Sequence, residues 1–495
     1  MNLLTLLEMV AAGFEDRVLI GSRSSALTGA RLKELAHRGA GSLAAEPTSV
    51  VVFLGGNGPA FPMALFAASL AGLPFLPVNF RLSDDQVEEI LGRHAAPLVI
   101  SDEPARVHGV PTISTAEWVR RCTECDPIAV PADPAPDDVA VILMTSGTTA
   151  APKSALLRHK HLTAYVTGSV DFAGSEDTDA TIVSVPPYHI AAVANLLSNL
   201  YSGRRILYLD RFTAAEWLSV VAAEGVTHAM VVPTMLSRIV EELETTGGTG
   251  PATLRSISYG GAKIPVGVLR RALELFPGAG FVNAYGLTET ASSIAVLGPA
   301  DHRAALDSDD PAVQARLGSV GRPLPHVTIE VHDELGRPCP AGETGEIVVR
   351  GPQVAGEYAE AGSLLDAEGW FHTRDRGHLD AEGYLFVHGR ADDTIIRGGE
   401  NIAPAEIEAV INEHQDVADV AVAGIPDEEW GQRIAAFVVL KPGSGATEAT
   451  IQDFVRARLR SSKTPDLVCL LPELPHTPTG KVLRRALVSG LAAPV

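Results

Sequence analysis

The sequence predicts an α/β fold followed by two smaller parts, a β-rich subdomain and an α+β domain. Over about the first 300 residues, short apolar runs rich in β-branched residues alternate with stretches of helical period, which is typical of buried sheets covered by helices. The chain has 495 residues, enough for about three compact units. Strands are predicted at 49–54, 139–144, 180–185 and 228–232, and helices at 214–224 and 266–275.

The charge-free segment 60–78 predicts a buried helix and the turn after it rather than a membrane span. Its nineteen residues approach the length of a span, but Pro62, Gly72, Pro74 and Pro77 interrupt them. The later stretch 122–138 is rich in Pro and Asp, which predicts a connector leading into the strand 139–144.

The pattern changes near Gly318, where the apolar runs 327–331 and 345–350 are separated by the turn sequence 333–336. These strands predict a small β-rich subdomain over 318–390. From Asp393 onward, a separate α+β domain of about 100 residues is predicted. Its helices are expected at 404–412 and 450–460, and its strands at 420–424, at 435–440 and near Leu467.

Composition and charge exclude several classes of protein. Apolar residues make up 46% of the chain, which excludes wholesale disorder. Sixty acidic residues against 39 Lys plus Arg give a net charge of −21. A protein of this charge lacks the excess of positive charge that binding to nucleic acid or to an anionic membrane requires. The N-terminal segment lacks the features of a signal peptide, so a cytoplasmic location is expected. Neither a zinc site nor a disulfide framework is predicted from the cysteines, which are Cys122, Cys125, Cys339 and Cys469.

The strongest local motif is the segment 144–154, MTSGTTAAPKS, which follows a predicted buried strand. Backbone N–H groups, several hydroxyl groups and the Lys153 ammonium are the groups that bind a triphosphate. The spacing from Gly147 to Lys153 resembles that of a Walker A loop, but Pro152 occupies a position where that loop has glycine. Taken alone, the segment is equally consistent with an ordinary Ser/Thr-rich turn.

A second motif is the segment 283–290, NAYGLTET. Tyr285 offers an aromatic face for a nucleotide base, Thr288 a donor for a phosphate, and Glu289 a carboxylate for a hard cation. The alternative is a buried tyrosine beside a turn.

Two weaker motifs follow towards the C-terminus. In 369–375, GWFHTRD, Asp375 is a candidate acceptor for ribose hydroxyl groups, and Arg390 lies in the segment 389–393, GRADD. Asp and Arg residues of this kind commonly form surface salt bridges instead. In 478–481, PTGK, a turn presents Lys481, and a single lysine on a turn is usually solvated surface.

Taken together, in this order and at these separations, the motifs resemble the superfamily of adenylate-forming enzymes. It includes acyl-CoA synthetases, the adenylation domains of peptide synthetases and beetle luciferases. The resemblance extends from residue 71 to residue 481. It implies a large N-terminal domain, 1–391, of two α/β subdomains plus the β-rich subdomain. It also implies a hinge at Asp392 and a small mobile α+β lid domain, 393–495.

The resemblance also implies a role for individual residues. Those expected to bind the nucleotide are Thr145, Ser146, Gly147, Thr148, Thr149, Lys153, Gly261, Ala262, Asn283, Ala284, Tyr285, Gly286, Thr288, Asp375 and Arg390. Glu289 is expected to bind Mg²⁺, and the acyl pocket is expected to include His189, Ile190, Val193, Ala194 and Gly261. The residues expected to take part in catalysis are Lys481, Lys153, Thr288 and His189, and those of the loop for the thioester step are Gly398, Gly399 and Glu400.

The resemblance implies an ATP-dependent acid–CoA ligase that uses ATP, Mg²⁺ and CoA. The segment 189–194, HIAAVA, has no carboxylate to pair with a substrate amine, unlike the peptide-synthetase domains, and the segments 395–401 and 426–431 look like those of acyl-CoA ligases. The small residues after His189 leave room for a bulky or long apolar acid, although an Ala-rich helix also packs closely against a sheet. No nucleic acid partner and no membrane span are expected.

Three positions depart from the family pattern. Ala150 and Ser154 stand where the phosphate loop commonly has glycine, and Arg374 replaces the glycine of a Thr-Gly-Asp motif. Loss of glycine reduces backbone freedom, so slower chemistry or altered access to the pocket is expected. Two alternative functions remain at this point: acyl transfer to the phosphopantetheine thiol of a carrier protein, and nucleotide binding without catalysis.

Overall fold

The structure is a computed structural model that describes residues 1–22, 25–145, 153–397, 400–427, 430–477 and 482–492. The predicted site residues that lie outside the described part are Ser146, Gly147, Thr148, Thr149, Gly398, Gly399 and Lys481. For Asp392 and Glu400 only the backbone is described. Each helix among the described residues is too short or too polar to span a lipid bilayer.

The N-terminal part alternates strands and helices. Its strands are β1 (Val18–Ser22), β2 (Ser25–Thr28), β3 (Val50–Leu54), β4 (Phe75–Pro77), β5 (Pro97–Ser101), β6 (Thr112–Ser114), β7 (Val139–Thr145) and β8 (Lys153–Arg158). Its helices are α1 (Leu3–Gly13), α2 (Gly29–Ala44), α3 (Ala60–Leu70), α4 (Asp84–Leu91), α5 (Thr115–Glu124) and α6 (His159–Ser169).

The next part continues the same alternation. Its strands are β9 (Ala180–Val183), β10 (Arg205–Tyr208), β11 (His228–Val231), β12 (Ser256–Gly260), β13 (Gly280–Leu287), β14 (Ser292–Leu297) and β15 (Arg322–Pro323). Its helices are α7 (Ile190–Ser202), α8 (Ala214–Ala223), α9 (Pro233–Thr246), α10 (Val266–Leu275), α11 (Pro299–Asp307) and α12 (Pro311–Ala315).

The remaining chain is first β-rich and then mixed. Its strands are β16 (Thr328–His332), β17 (Gly345–Arg350), β18 (Glu357–Tyr358), β19 (Gly362–Ser363), β20 (Phe371–Leu379), β21 (Leu385–Arg390), β22 (Ile395–Arg397), β23 (Glu400–Ile402), β24 (Val417–Asp427), β25 (Gly431–Leu440) and β26 (Leu467–Leu471). The helices are α13 (Pro404–Ile411), α14 (Glu448–Arg456) and α15 (Arg484–Ala492). Short 3₁₀ helices are Pro104–Arg106, Thr288–Thr290, Arg316–Gly318, Ala391–Asp393 and Ser461–Lys463.

Two large mixed sheets form the body of the described N-terminal part. One has eight strands in the order β19-β18-β8-β7-β4-β3-β5-β6, and the other has nine in the order β15-β14-β13-β12-β11-β9-β10-β1-β2. The central strands of both sheets are parallel, whereas the pairs β7–β8 and β13–β14 are antiparallel. Residues of both sheets, such as Phe75 and Ile257, share one apolar core.

The β-rich part packs against the edge of the nine-stranded sheet. Strands β16, β17, β20 and β21 form an antiparallel sheet in that order. Its buried residues Val331, Ile347 and Leu385 lie in one apolar cluster with Ile294 of β14. Strand β18, which follows β17 in the chain, belongs instead to the eight-stranded sheet, where it pairs with β8. The chain after Gln353 therefore reaches that sheet.

The C-terminal part has apolar clusters of its own on both faces of the sheet β24-β25-β26. Ile407 of α13 and Ile451 of α14 pack with one face, and Leu487 of α15 packs with the other. The predicted α/β class with a small α+β part at the C-terminus therefore agrees with the described elements. The predicted domain boundaries and the hinge at Asp392 stay predictions.

Several sequence predictions need correction. Helix α5 extends to Glu124, so the connector predicted from residue 122 begins at Cys125. The segment after α3 contains the strand β4 and not only a turn. The helix predicted at 450–460 ends at Arg456, and the strand predicted at 420–424 is more than twice as long. Helix α15 was not predicted.

Candidate active site

Several of the predicted site residues lie where strands of the two large sheets end. Thr145 ends β7, Gly260 ends β12 and Leu287 ends β13. In α/β folds, ligands bind beyond the carboxyl ends of parallel strands, where loops provide polar groups. The described site has one group of residues around Glu289 and another around Asp375, which we call the metal end and the ribose end.

Thr145 and Lys153 flank the phosphate-loop segment and lie opposite each other in the β7–β8 pair. The hydroxyl group of Thr145 donates a hydrogen bond to the carbonyl oxygen of Lys153 at 3.4 Å. The Lys153 ammonium lies 5.3 Å from the centre of the Tyr358 ring. The next residue, Ser154, donates from its backbone N–H and its hydroxyl group to the Glu360 carboxylate.

Glu289 lies in the short 3₁₀ helix after β13 and is 9% exposed. Its Oε1 atom accepts a hydrogen bond from the Tyr358 hydroxyl group, and its carbonyl oxygen accepts from the N–H groups of Ala355 and Gly356. Burial, and then the charge of Glu289, raises the pKa of Tyr358, so this hydroxyl group keeps its proton. Ala291 and Ser292 take positive φ values of 52° and 117°, so the turn after Glu289 is strained.

The metal end suits one magnesium ion bound together with a phosphorylated substrate. Among the described residues, Oε2 of Glu289 accepts no hydrogen bond, so one carboxylate oxygen is available for a cation. The described residues contain no cluster of three or more metal-binding side chains. Mg²⁺ commonly binds through one or two carboxylates and substrate phosphates and keeps several waters. The residues present therefore fit a magnesium ion whose other ligands are phosphate oxygens and water.

The ribose end joins three predicted residues. The Tyr285 hydroxyl group donates to Oδ2 of Asp375 at 2.6 Å, and Nε of Arg390 lies 3.7 Å from Oδ1 of the same carboxylate. Asp375 and Arg390 are partners across the β20–β21 pair. The N–H group of Asp375 donates to the Thr373 hydroxyl group at 3.0 Å. Burial, and then Asp375, raises the pKa of Tyr285, so this hydroxyl group also stays a donor.

Two glycines allow neighbouring strands to approach closely near the ends of β12 and β13. A Cβ atom on Gly260 would collide with the carbonyl oxygen of Ala284, and one on Gly286 would collide with that of Ser292. The Asn283 side-chain amide donates to the carbonyl oxygen of Ser319 at 3.0 Å. One of its two donor hydrogens is therefore used within the protein.

The predicted acyl residues lie around the start of α7. His189 is the N-cap residue, and its Nε2 atom is buried without a hydrogen-bond partner in the described part of the chain. Burial lowers the pKa of His189 to about 4, so the ring is neutral at physiological pH. Ile190 is half-buried, whereas Val193 and Ala194 are buried, with Val193 in the main core. Gly261 is exposed with a φ of +84°, and open space lies on its Cβ side.

The structure brings five of the described candidates together in two groups. Tyr285, Asp375 and Arg390 form one group, and Lys153 and Glu289 both contact Tyr358. Sequence reasoning missed Tyr358 and Glu360, for which no motif spacing gives a signal. It also gave no role to Thr373, although that residue lies within the segment 369–375 and could have been examined there.

Comparison with known proteins gives two family matches. The model of the AMP-binding enzyme family matches residues 7–359, and that of the AMP-binding enzyme C-terminal domain matches residues 406–481.

Two relatives and one solved structure illustrate the range of similar proteins. The fatty acid–[acyl-carrier-protein] ligase ScoC of Streptomyces coeruleorubidus is 32% identical, over 89% of this chain and 86% of the relative. The indoleacetate–CoA ligase of Aromatoleum aromaticum is 32% identical, over 92% and 91%. The o-succinylbenzoate CoA synthetase of Bacillus subtilis, solved with its acyl-adenylate intermediate, has a TM-score of 0.85 and 29% identity over 97% of both chains. That protein has also been solved with ATP and a magnesium ion.

Proposed function

Because the chain belongs to the AMP-binding enzyme family, we propose that it is an ATP-dependent ligase that joins a carboxylic acid to the thiol of CoA through an acyl-adenylate. The comparisons confirm the sequence predictions of family, α/β fold class, enzyme class and the use of ATP, Mg²⁺ and CoA. The observation that carries the proposal is the arrangement of Glu289 with Lys153 at one end of the site and of Asp375 with Arg390 at the other.

The first half-reaction requires charge neutralisation. A carboxylate attacks the α-phosphate of ATP, so two anions must approach each other while pyrophosphate leaves. In the proposed site the Lys153 ammonium stabilises the phosphates and the Thr288 hydroxyl group donates to the α-phosphate. A magnesium ion held by Glu289 would supply further positive charge. Lys481, which lies outside the described residues, is proposed to bridge the acid and the α-phosphate.

The ribose end is proposed to bind and orient the nucleoside. Asp375 accepts hydrogen bonds from the ribose hydroxyl groups, and Arg390 holds its carboxylate in place. The Tyr285 ring stacks on the adenine base, while its hydroxyl group remains on Asp375. Because Tyr285 and Arg390 both contact Asp375 already, the nucleoside meets an ordered surface.

The second half-reaction is proposed to follow rotation of the C-terminal part about Asp392. The short 3₁₀ helix Ala391–Asp393 separates β21 from β22, and the C-terminal part has its own apolar clusters, both of which support a pivot here. Arg484 of α15 pairs with Asp393 at 3.6 Å and with Glu408 at 2.5 Å, so the last helix contacts the residue next to the proposed hinge. Gly398, Gly399 and Glu400 are proposed to enter the site for thioester formation.

A carrier protein is the second candidate acceptor, because one relative is a fatty acid–[acyl-carrier-protein] ligase. The class of acid, whether fatty, aromatic or polycyclic, and the roles of the acyl-pocket residues stay predictions. So does the cytoplasmic location.

Pyrophosphate release tests the proposal. The enzyme is incubated with MgATP and a panel of fatty, aromatic and polycyclic acids, and active mixtures then receive CoA or a phosphopantetheinylated carrier protein. We expect release with at least one acid and thioester formation on CoA. Lys481→Ala should lower release by about 10²-fold but leave thioester formation from supplied acyl-adenylate intact, with Lys160→Ala on the exposed surface as control. Absence of pyrophosphate release with every acid would contradict the proposal.

A further inference from the structure

A short segment outside every sequence motif connects the two large sheets at the metal end. We call residues 355–360 the clasp. On one side, the N–H groups of Ala355 and Gly356 donate to the carbonyl oxygen of Glu289 at 2.8 and 3.0 Å. On the other side, Tyr358 pairs with Ala155 of β8, and the N–H group of Ala359 donates to the carbonyl oxygen of Ser154 at 2.9 Å. The clasp therefore joins the turn that carries Glu289 to the strand that carries Lys153.

Tyr358 is the clasp residue that contacts both charged side chains. It is 8% exposed, its hydroxyl group donates to Oε1 of Glu289, and its ring lies 5.3 Å from the Lys153 ammonium. Lys153 and Glu289, both within the described residues, form no ion pair with each other. The tyrosine contacts the carboxylate with one end of its side chain and the ammonium with the face of its ring.

We propose that Tyr358 is a positioning residue with two separable parts: its hydroxyl group orients the Glu289 carboxylate, and its ring holds the Lys153 ammonium. This inference rests on the proposed function, because that function gives Glu289 and Lys153 their roles. By engaging both groups, Tyr358 keeps opposite charges from pairing directly and directs both towards the phosphates of ATP.

Physical reasons support a division between the two parts. A buried carboxylate needs hydrogen-bond donors, and the Tyr358 hydroxyl group is the side-chain donor to Glu289 among the described residues. An ammonium group over an aromatic face is attracted by the negative charge density of the ring, and this attraction does not require the hydroxyl group. Tyr358→Phe should therefore release Glu289 and leave Lys153 in place, whereas Tyr358→Leu should release both.

Tyr384 provides a matched control outside the site. It is 2% exposed, its hydroxyl group donates to Asp301 at 2.7 Å, and its ring carries the guanidinium groups of Arg316 and Arg322 at 4.4 and 4.3 Å. It therefore makes the same kinds of contact as Tyr358, with a carboxylate and with cations. Tyr384→Phe and Tyr384→Leu measure what the loss of such contacts does to stability alone.

Calorimetric titration of ATP with and without Mg²⁺ tests the proposal, together with thermal unfolding of the ligand-free proteins. For Tyr358→Phe we expect that the Mg²⁺ concentration giving half of the Mg²⁺-dependent gain in ATP affinity rises five- to tenfold. The ATP affinity without Mg²⁺ should stay within twofold of wild type. For Tyr358→Leu we expect the same rise and, in addition, about fivefold weaker metal-free ATP binding. The Tyr384 variants should change thermal unfolding but neither titration.

Two results would overturn the inference: an unchanged Mg²⁺ requirement in Tyr358→Phe, or equal effects of the Tyr358 and Tyr384 variants on both titrations. If Tyr358→Leu does not fold, the Phe variant alone still decides the role of the hydroxyl group. Failure of the proposed function would be recognised separately, because the wild-type enzyme would then bind MgATP without releasing pyrophosphate with any acid.

Discussion

The ribose end and the metal end of the site are held in place in different ways. At the ribose end, Tyr285 and Arg390 both contact Asp375, and all three residues belong to sequence motifs. At the metal end, Glu289 and Lys153 are joined by Tyr358, which belongs to none. The sequence motifs thus include all three interacting residues of the ribose end. At the metal end they include only the residues that are proposed to face the substrate.

Neutralising one carboxylate at each end should have the largest effect, and it should separate charge stabilisation at the metal end from ATP binding at the ribose end. Glu289→Gln should lower the rate of pyrophosphate release by about 10²-fold, because charge stabilisation of the phosphates is lost in the transition state. Asp375→Asn should mainly raise the KM for ATP, by about tenfold, since it weakens hydrogen bonds to the ribose. Steady-state kinetics at saturating Mg²⁺ measures both.

Exposed Asp309→Asn is the control for the loss of one negative charge. If Asp375→Asn lowered kcat as much as Glu289→Gln did, the division of the site into a binding end and a charge-stabilising end would be wrong.

The same contrast shows which parts of the fold and of the site could be predicted from the sequence. Runs such as 139–144 and 228–232 were predicted as strands because they are apolar and rich in β-branched residues. The strand β4 was not, because it has only three residues and ends in Pro77. Tyr285 and Asp375 were found although 90 residues separate them, since each lies in a motif. The contact of Glu289 with Tyr358 depends on the pairing of β18 with β8, and no local pattern encodes that pairing.

Acid should destabilise the protein through a third region, the start of α7. Burial lowers the pKa of His189 to about 4, below its ordinary value of 6.5, so the unfolded chain binds a proton more readily than the folded one. The contribution of His189 to the free energy of unfolding is fully present above pH 6.5 and is lost as the pH falls towards 4. The expected slope is at most about 1.4 kcal/mol per pH unit.

Urea unfolding at several pH values checks this expectation. His189→Gln should reduce the loss of unfolding free energy between pH 6.5 and pH 4, whereas His108→Gln on the exposed surface should not. Parallel curves for wild type and His189→Gln would show that the ring is not buried as described.

A smaller effect is expected where Ser154 anchors β8 to the clasp. Its hydroxyl group donates to the Glu360 carboxylate at 2.8 Å, and its N–H group donates to the same carboxylate at 3.0 Å. Ser154 stands at a position where the resemblance leads us to expect glycine. Ser154→Ala removes one of these bonds and should lower the rate of pyrophosphate release by about three- to fivefold, the scale of one hydrogen bond. Ser237→Ala, in which a hydroxyl group on α9 is lost, is the control. An unchanged rate would mean that the backbone contacts of the clasp position Lys153 without this serine.

The smallest expected effect belongs to the ribose end and concerns Arg374, which stands beside Asp375 where the resemblance leads us to expect glycine. Arg374 has a φ of +61°, in the left-handed region that favours glycine, and its N–H group donates to Glu346 at 3.2 Å. Arg374→Gly should raise the free energy of unfolding by about 0.5–1 kcal/mol, because relief of backbone strain outweighs the greater entropy of the unfolded chain. Arg374→Ala, which keeps the strain, should not raise the free energy of unfolding. Calorimetric ATP affinity should stay unchanged in both variants because the side chain is exposed.

A glycine variant less stable than the alanine variant would mean that this backbone conformation is not strained. If both variants lost ATP affinity, the ribose end would depend on Arg374 as well as on the contacts that Tyr285 and Arg390 make with Asp375. It would then resemble the metal end in relying on a residue that was not predicted as a site residue.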